Sequence, residues 1–184
     1  ERARIEGELG AVEQFLRESA GDAGADALAE QIGIEPGYEL ALTAVLGRRL
    51  RAAVVGDISA GQSFLDRIGE DGGSAMVAGR ARSAAVVPPP QGAERLLDKL
   101  NAAGGAASVV EPLLADVWVV ESLESLAADF GGIAVTKSGR VYFGATGELR
   151  QAPAGGEQRV LAERNRRDSL SEALTVAKDA EASA

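Results

Sequence analysis

A chain of 184 residues with a formal net charge of −9 has room for one ordinary domain or two small ones, and its acidity repels nucleic acid except at a local basic patch. It contains neither cysteine nor histidine, which excludes disulfides, thiolate and imidazole metal sites, and every Ser-His-Asp or Cys-His mechanism. Hydrophobic residues make up 46% but aromatic ones only 4%, so a core of Val, Leu and Ile is expected; no run nears the roughly 20 apolar residues of a membrane span, and the charged, helical start shows no signal peptide.

The first element is a helix over 1–18, in which Ile5, Leu9, Val12 and Leu16 recur at spacings of four, three and four. That is the a/d seam of a coiled coil set among polar helix formers. Gly21 to Gly24 breaks it. The segment 27–32 reads equally as a short strand or a helical turn. Glu35-Pro36-Gly37 signals a turn, because Pro presets φ and Gly permits positive φ. Leu42, Val45 and Leu46 fit a helix over 38–46 that Gly47 terminates. A short buried strand follows at 52–55, then a helix over 59–68 capped by Ser59 or Asp57.

Gly72-Gly73 opens a stretch ending in Val86-Val87-Pro88-Pro89-Pro90. Three prolines stiffen an extended linker and continue neither strand nor helix, so a subdomain boundary is placed there. Beyond it the pattern predicts an amphipathic helix over 93–100, a turn at Gly104-Gly105, a short strand or loop at 108–110 and a helical turn at 112–116. A buried strand at Trp118-Val119-Val120 and a helix over 122–128, with Ser122 as its N-cap, come next. Strands at 133–136 and 140–143 are joined by Lys137-Ser138-Gly139, a hairpin signal. Leu170, Leu174 and Ala177, with Val160 ten residues before Leu170, repeat the four–three step in a final helix. The two ends therefore read as the cut stumps of one coiled coil, or else as two amphipathic helices packed on the domain. Each half also carries a helix, a Val-Val strand and a second helix in that order, the outline of a weak duplication.

Little in the chain supports catalysis. A phosphate loop needs G-x-x-x-x-G-K-[ST], but the one Lys-Ser pair, Lys137-Ser138, follows Thr136. No G-x-G-x-x-G is present, Glu70-Asp71 reads as solvated surface, and Trp118 as core. No cofactor is expected. The most informative residue is glycine. Gly131, Gly132, Gly139, Gly144 and Gly147, followed by Gly155 and Gly156, crowd the end of the globular region. Such glycines mark sharp turns, or a sheet edge bared so that another chain can dock. Arginine forms two groups: Arg48, Arg49 and Arg51 after the first domain helix, and Arg159, Arg164, Arg166 and Arg167 at the root of the last one. These either bind phosphates or pair with Glu157, Glu163 and Asp168.

Read in order, Glu35-Pro36-Gly37-Tyr38-Glu39-Leu40-Ala41, Leu46-Gly47-Arg48-Arg49-Leu50, Val54-Val55, Leu113-Leu114 to Trp118-Val119-Val120, and Val135-Thr136-Lys137-Ser138-Gly139-Arg140-Val141 resemble the hinge domain of structural maintenance of chromosomes (SMC) proteins. The bacterial, condensin-type branch fits best. Arg164 to Leu174 resembles the start of the returning arm. One departure is that paired glycines usual after the V-T-x-x-G element are replaced here by single ones in Phe143-Gly144-Ala145-Thr146-Gly147.

The resemblance implies an α+β hinge of two small subdomains with mixed sheets and flanking helices. An antiparallel coiled-coil stump would be formed by both termini: arms at 1–18 and 159–184, subdomain I with its linker at 19–90, and subdomain II at 91–158. It further implies a ring-shaped homodimer whose contact uses Gly131, Gly132, Gly139, Gly144 and Gly147. Weak, sequence-independent DNA binding would fall at the neck, on Arg48, Arg49, Arg51, Arg159, Arg164, Arg166 and Arg167. The domain itself would be non-catalytic. ATP-binding heads, with the kleisin and accessory subunits they recruit, would lie outside this chain, in a cytoplasmic, nucleoid-associated protein. The competing reading is a small two-subdomain enzyme or ligand-binding domain that uses carboxylates.

Overall fold

The computed structural model describes residues 2–19, 24–79 and 87–182. Most of the 21–24 break and Val86 of the proline linker lie outside the described residues. From Val87 the chain runs without regular structure through the prolines to a turn at 91–92. No helix among the described residues is long and apolar enough to cross a membrane.

The terminal helices are α1 (Arg2–Ser19) and α6 (Glu157–Ala182). They lie antiparallel, as three cross-contacts show: Arg2 pairs with Glu181 at 3.2 Å, Arg166 with Glu8 at 3.3 Å, and the Arg159 guanidinium lies 4.6 Å from the centre of the Phe15 ring. Ile5 and Val12, two turns apart, are buried, and Leu9 and Leu16 are half-buried. On α6 the deepest contact is Leu161, with Val160, Leu170, Leu174 and Ala177 half-buried.

Between them run α2 (Leu28–Gln31), β1 (Ile32–Ile34), α3 (Glu39–Leu46), β2 (Ala53–Val55), α4 (Ile58–Ile68) and β3 (Ala75–Val77). The second half follows as β4 (Glu94–Arg95), β5 (Leu100–Ala102), α5 (Gly104–Leu114), β6 (Val117–Val119), β7 (Ile133–Val135), β8 (Arg140–Phe143) and β9 (Glu148–Gln151). The ambiguous segment 27–32 is thus helix first and strand at its last residue. Asp57, not Ser59, caps α4, its carboxylate accepting from the Ala60 amide at 2.8 Å.

Among the described residues three sheets form: β1-β5, β2-β3, and a five-stranded sheet in the order β4-β6-β7-β8-β9. The order of elements repeats. In the first half a strand (β1), a helix (α3), a strand (β2) and a crossover over α4 lead to β3, parallel to β2. In the second half β5, α5, β6 and a crossover lead to β7, parallel to β6. The two leading strands pair antiparallel, Gly33 opposite Asn101, and the helices exchange places. α3 packs on β7 and β8 of the second half, and α5 packs on β2 of the first. The repeat is thus one of strand, helix, strand and crossover, whereas the expected order of helix, Val-Val strand and second helix holds in the first half alone, a 3-10 turn standing after β6 in place of the second helix. One hydrophobic core runs through both halves, from Leu28, Leu42 and Leu50 through Leu96, Val110 and Leu114 to Val117, Val135, Val141 and Leu161.

Three expectations fail. The helix predicted over 93–100 is instead β4, a 3-10 turn at Leu96–Lys99, and β5. Its backbone is taken by β6 on one side and β1 on the other, and of its apolar residues only Leu96 is buried. The strand or loop predicted at 108–110 lies inside α5, where Ala106, Val109, Val110 and Leu114 form its buried stripe. Their spacing of three, one and four is helical, and it outweighs the β preference of the Val pair. The helix predicted over 122–128 shrinks to a 3-10 turn, Leu123–Ser125, which Ser122 does cap.

Candidate functional site

Two of the strand edges that this fold leaves open among the described residues lie far apart in the chain order. β9 closes one side of the five-stranded sheet, and all four of its side chains are exposed, Leu149 at 66%. β3 forms the outer edge of the β2-β3 pair, with Ala75, Met76 and Val77 half-buried. Among the described residues no strand pairs with the outer side of either. One edge belongs to each half of the chain.

The glycines behind β9 are mostly spent within the chain. A Cβ at Gly139 (φ +80°) would sit 2.6 Å from Leu40 Cγ, and one at Gly144 2.3 Å from the Phe130 carbonyl oxygen. At Gly132 it would meet Phe130 at 2.9 Å and Val87 at 3.1 Å. These three serve the packing of α3 and of the 130–132 loop on the hairpin. Gly131 and Gly147 face open space and are exposed.

A polar joint binds the two halves. Tyr38 is buried at the start of α3, and its hydroxyl donates to Glu94 Oε2 at 2.5 Å. Its ring is flanked by Lys137 Nζ at 4.3 Å and Lys99 Nζ at 5.2 Å. The Tyr38 hydroxyl, helped by the two lysines, holds the Glu94 carboxyl below its ordinary pKa. Burial alone would lower Lys99, but Glu35 and Glu94 outweigh it and raise the amine above its usual range.

At the neck, the seven arginines part company. Arg164 is largely buried: its Nη2 donates to the Glu30 carbonyl, its Nη1 reaches the Ile32 carbonyl at 3.4 Å, and its Nε lies 3.7 Å from the Glu30 carboxylate. Burial lowers its pKa, against the pull of Glu30. Beside it Asn165 donates to Glu39 Oε1 at 2.8 Å. These side chains fix the arm on the body. Arg167 turns onto Asp168 at 2.7 Å, Arg166 onto Glu8 and Glu163, and Arg51 onto Glu157. Arg48 and Arg49 are exposed on the 3-10 turn after α3 and make no ion pair or side-chain hydrogen bond among the described residues. Among those residues, too, no three acidic side chains converge as a metal site would require.

The sequence reading missed the two edge strands, Leu161 and the Tyr38 joint. Ala75-Met76-Val77 is an apolar triplet after a glycine pair, a usable signal. Glu148 to Gln151, polar but for Leu149, carries none.

Taken together, a bilobed α+β body with a bare edge on each lobe and two antiparallel helices leaving as one stalk defines a connector module of a coiled-coil protein. A family model described as the SMC proteins flexible hinge domain matches residues 23–126, and the chain belongs to that family. No curated protein matches the sequence.

Solved structures agree in fold. The hinge domain of the Geobacillus stearothermophilus SMC protein, solved as an asymmetric dimer, superposes with a TM-score of 0.82 at 16% identity, over 98% of this chain and 85% of that one. The Pyrococcus furiosus Smc hinge domain with an extended coiled coil gives 0.55 at 18%, over 99% and 83%. The folded elbow of cohesin gives 0.61 at 15%, over 97% of this chain and 30% of that one.

Proposed function

We propose that this domain is the homodimerisation hinge of a chromosome-organising SMC ATPase, joining two long arms and performing no chemistry itself. The observation that carries the reading is the pair of bare edges, β3 on one half and β9 on the other. The two edges belong to opposite halves of the chain, and two chains related by a two-fold axis satisfy both at once. Unpaired edges otherwise invite aggregation. The Geobacillus hinge, solved as a dimer, supports this. Light scattering at micromolar concentration should return twice the 18.9 kDa chain mass; a monomer would overturn the reading.

Duplex DNA is the proposed second ligand. Arg48 and Arg49 are the unpaired cations of the neck, with Arg51 and Arg159 nearby in sequence or on the same arm root. Exposed ion pairs contribute only about 0–1 kcal/mol, so Arg51, Arg166 and Arg167 remain within reach of phosphate, and Arg164 does not. Binding should weaken with salt. Replacing Arg48 and Arg49 by Glu should abolish it while leaving the dimer intact; unchanged affinity would move the site elsewhere.

A further inference from the structure

Among the described residues four large apolar side chains are exposed: Ile58 at 52%, Leu65 at 40%, Leu149 and Val176. Val176 lies on the arm helix. The other three stand at the two bare edges. Leu149 belongs to β9, opposite Tyr142 of β8. Ile58 and Leu65 belong to α4, which packs over both strands of the β2-β3 pair.

The two α4 residues are seven positions apart, two helical turns, so they share one flank of the helix. Gly61 and Phe64 are buried, and a Cβ on Gly61 would touch Ala75 and Val55 at 3.6 Å. Leu65 Cδ2 lies 3.7 Å from the place of a Cβ on Gly73, two residues before β3. Leu65 therefore borders the strand whose outer edge is bare. Gln62, one turn from each of the pair, is uncharged. Leu149 has a matching setting. Glu148 and Arg150, its strand neighbours, lie on the opposite face and pair with each other at 2.8 Å. Gln151 shares the face of Leu149, so that face of β9 carries no charge.

Backbone pairing alone makes a poor junction here. β3 has three residues and β9 four, so few hydrogen bonds can form between them, and each replaces a bond to water. A stable interface covers roughly 800 Å² of each partner, more than so short a pairing supplies. Apolar burial is the remaining source of affinity, and each edge offers it. We propose that Leu149 of one protomer seats against Ile58 and Leu65 of α4 in the other, so that a helix flank and not the strand edges alone selects the second copy. The proposal rests on the dimer reading and makes the pairing heterologous. A contact of β9 with β9 would set Leu149 near Leu149 and leave the α4 flank in water.

The test is sedimentation of the whole 184-residue protein carrying Leu65→Glu, Leu149→Lys or both. Each single change should weaken dimerisation by about tenfold or more, because it leaves a charge buried without a partner. In the double variant the two charges meet at each junction, so its loss should be smaller than the product of the single losses. Both positions are exposed in the single chain, so circular dichroism should not change; if Leu65→Glu fails to fold, Ile58→Glu takes its place. A Leu65→Glu dimer as tight as the unmodified one, or losses that simply multiply in the double variant, overturns the proposal and leaves the dimer reading standing. If Leu149→Lys alone weakens the dimer, the contact is β9 with β9 and the proposal fails. An unmodified chain that is monomeric at micromolar concentration overturns the dimer reading and this proposal with it.

Discussion

Tyr38 shows how much one side chain can join. It starts α3 in the first half, and its hydroxyl and ring engage Glu94, Lys99 and Lys137, all from the second. Glu94 is held below its ordinary value of 4.5. A carboxyl depressed in the folded state contributes stability that is complete above its unfolded pKa and is lost as pH falls through the folded value. Acid should therefore loosen this joint below pH 4.5. Tyr38→Phe should lower the unfolding free energy at about pH 7 and leave a smaller further loss at about pH 3.5, because the other carboxylates are common to both proteins. Equal acid losses in urea unfolding of the two would refute the coupling. Gly139 is the second single-residue joint, held at φ +80° against Leu40. Gly139→Ala should cost about 2–4 kcal/mol, combining left-handed strain with overpacking. Gly147→Ala, at φ +67° in open space, should cost about 1 kcal/mol. Matching losses at the two positions would show that the Leu40 contact is not tight.

At the scale of elements, what could be read from the sequence followed periodicity. The a/d seams gave both arm helices, and Pro36-Gly37, Gly47 and Lys137-Ser138-Gly139 gave turns that the structure contains. Periodicity failed where tertiary pairing overrode it. The segment 94–102 has the pattern of a helix, yet β6 and β1 claim its backbone. β9 has no pattern at all, because a strand exposed on every side chain buries nothing that would betray it. The arginine clusters were legible as charge, but not as roles. Arg164 and Arg167 stand three residues apart on α6, and it is Arg164, on the same side as the buried Leu161 one turn before it, that turns inward to the Glu30 and Ile32 carbonyls. The glycines were legible as a group and not one by one: three answer to this chain's own packing, and two are left bare on the surface.

At the scale of the whole molecule, the internal repeat explains why the β3 and β9 edges fall in different halves. β3 and β7 occupy matching places in the two halves, each parallel to the strand before its crossover. The second half then adds β8 and β9, so its free edge moves outward to β9. A two-fold dimer can use these edges heterologously, β3 of one chain with β9 of the other, giving two junctions and a closed ring. It can also pair β9 with β9 and leave β3 bare. Mixing experiments separate the two. A chain blocked at β9 by Leu149→Pro and a chain blocked at β3 by Met76→Pro each lose one edge, because proline removes a ladder donor and crowds its neighbour. With β3–β9 pairing, each variant alone has no intact junction and runs as a monomer. Mixed, they share one, formed by β3 of the first and β9 of the second, and a dimer weaker than the unmodified one should appear by sedimentation. With β9–β9 pairing, the chain altered only at Met76 would remain a full dimer alone, and the mixture would add nothing. That second pattern would refute the heterologous ring while leaving the hinge a dimer.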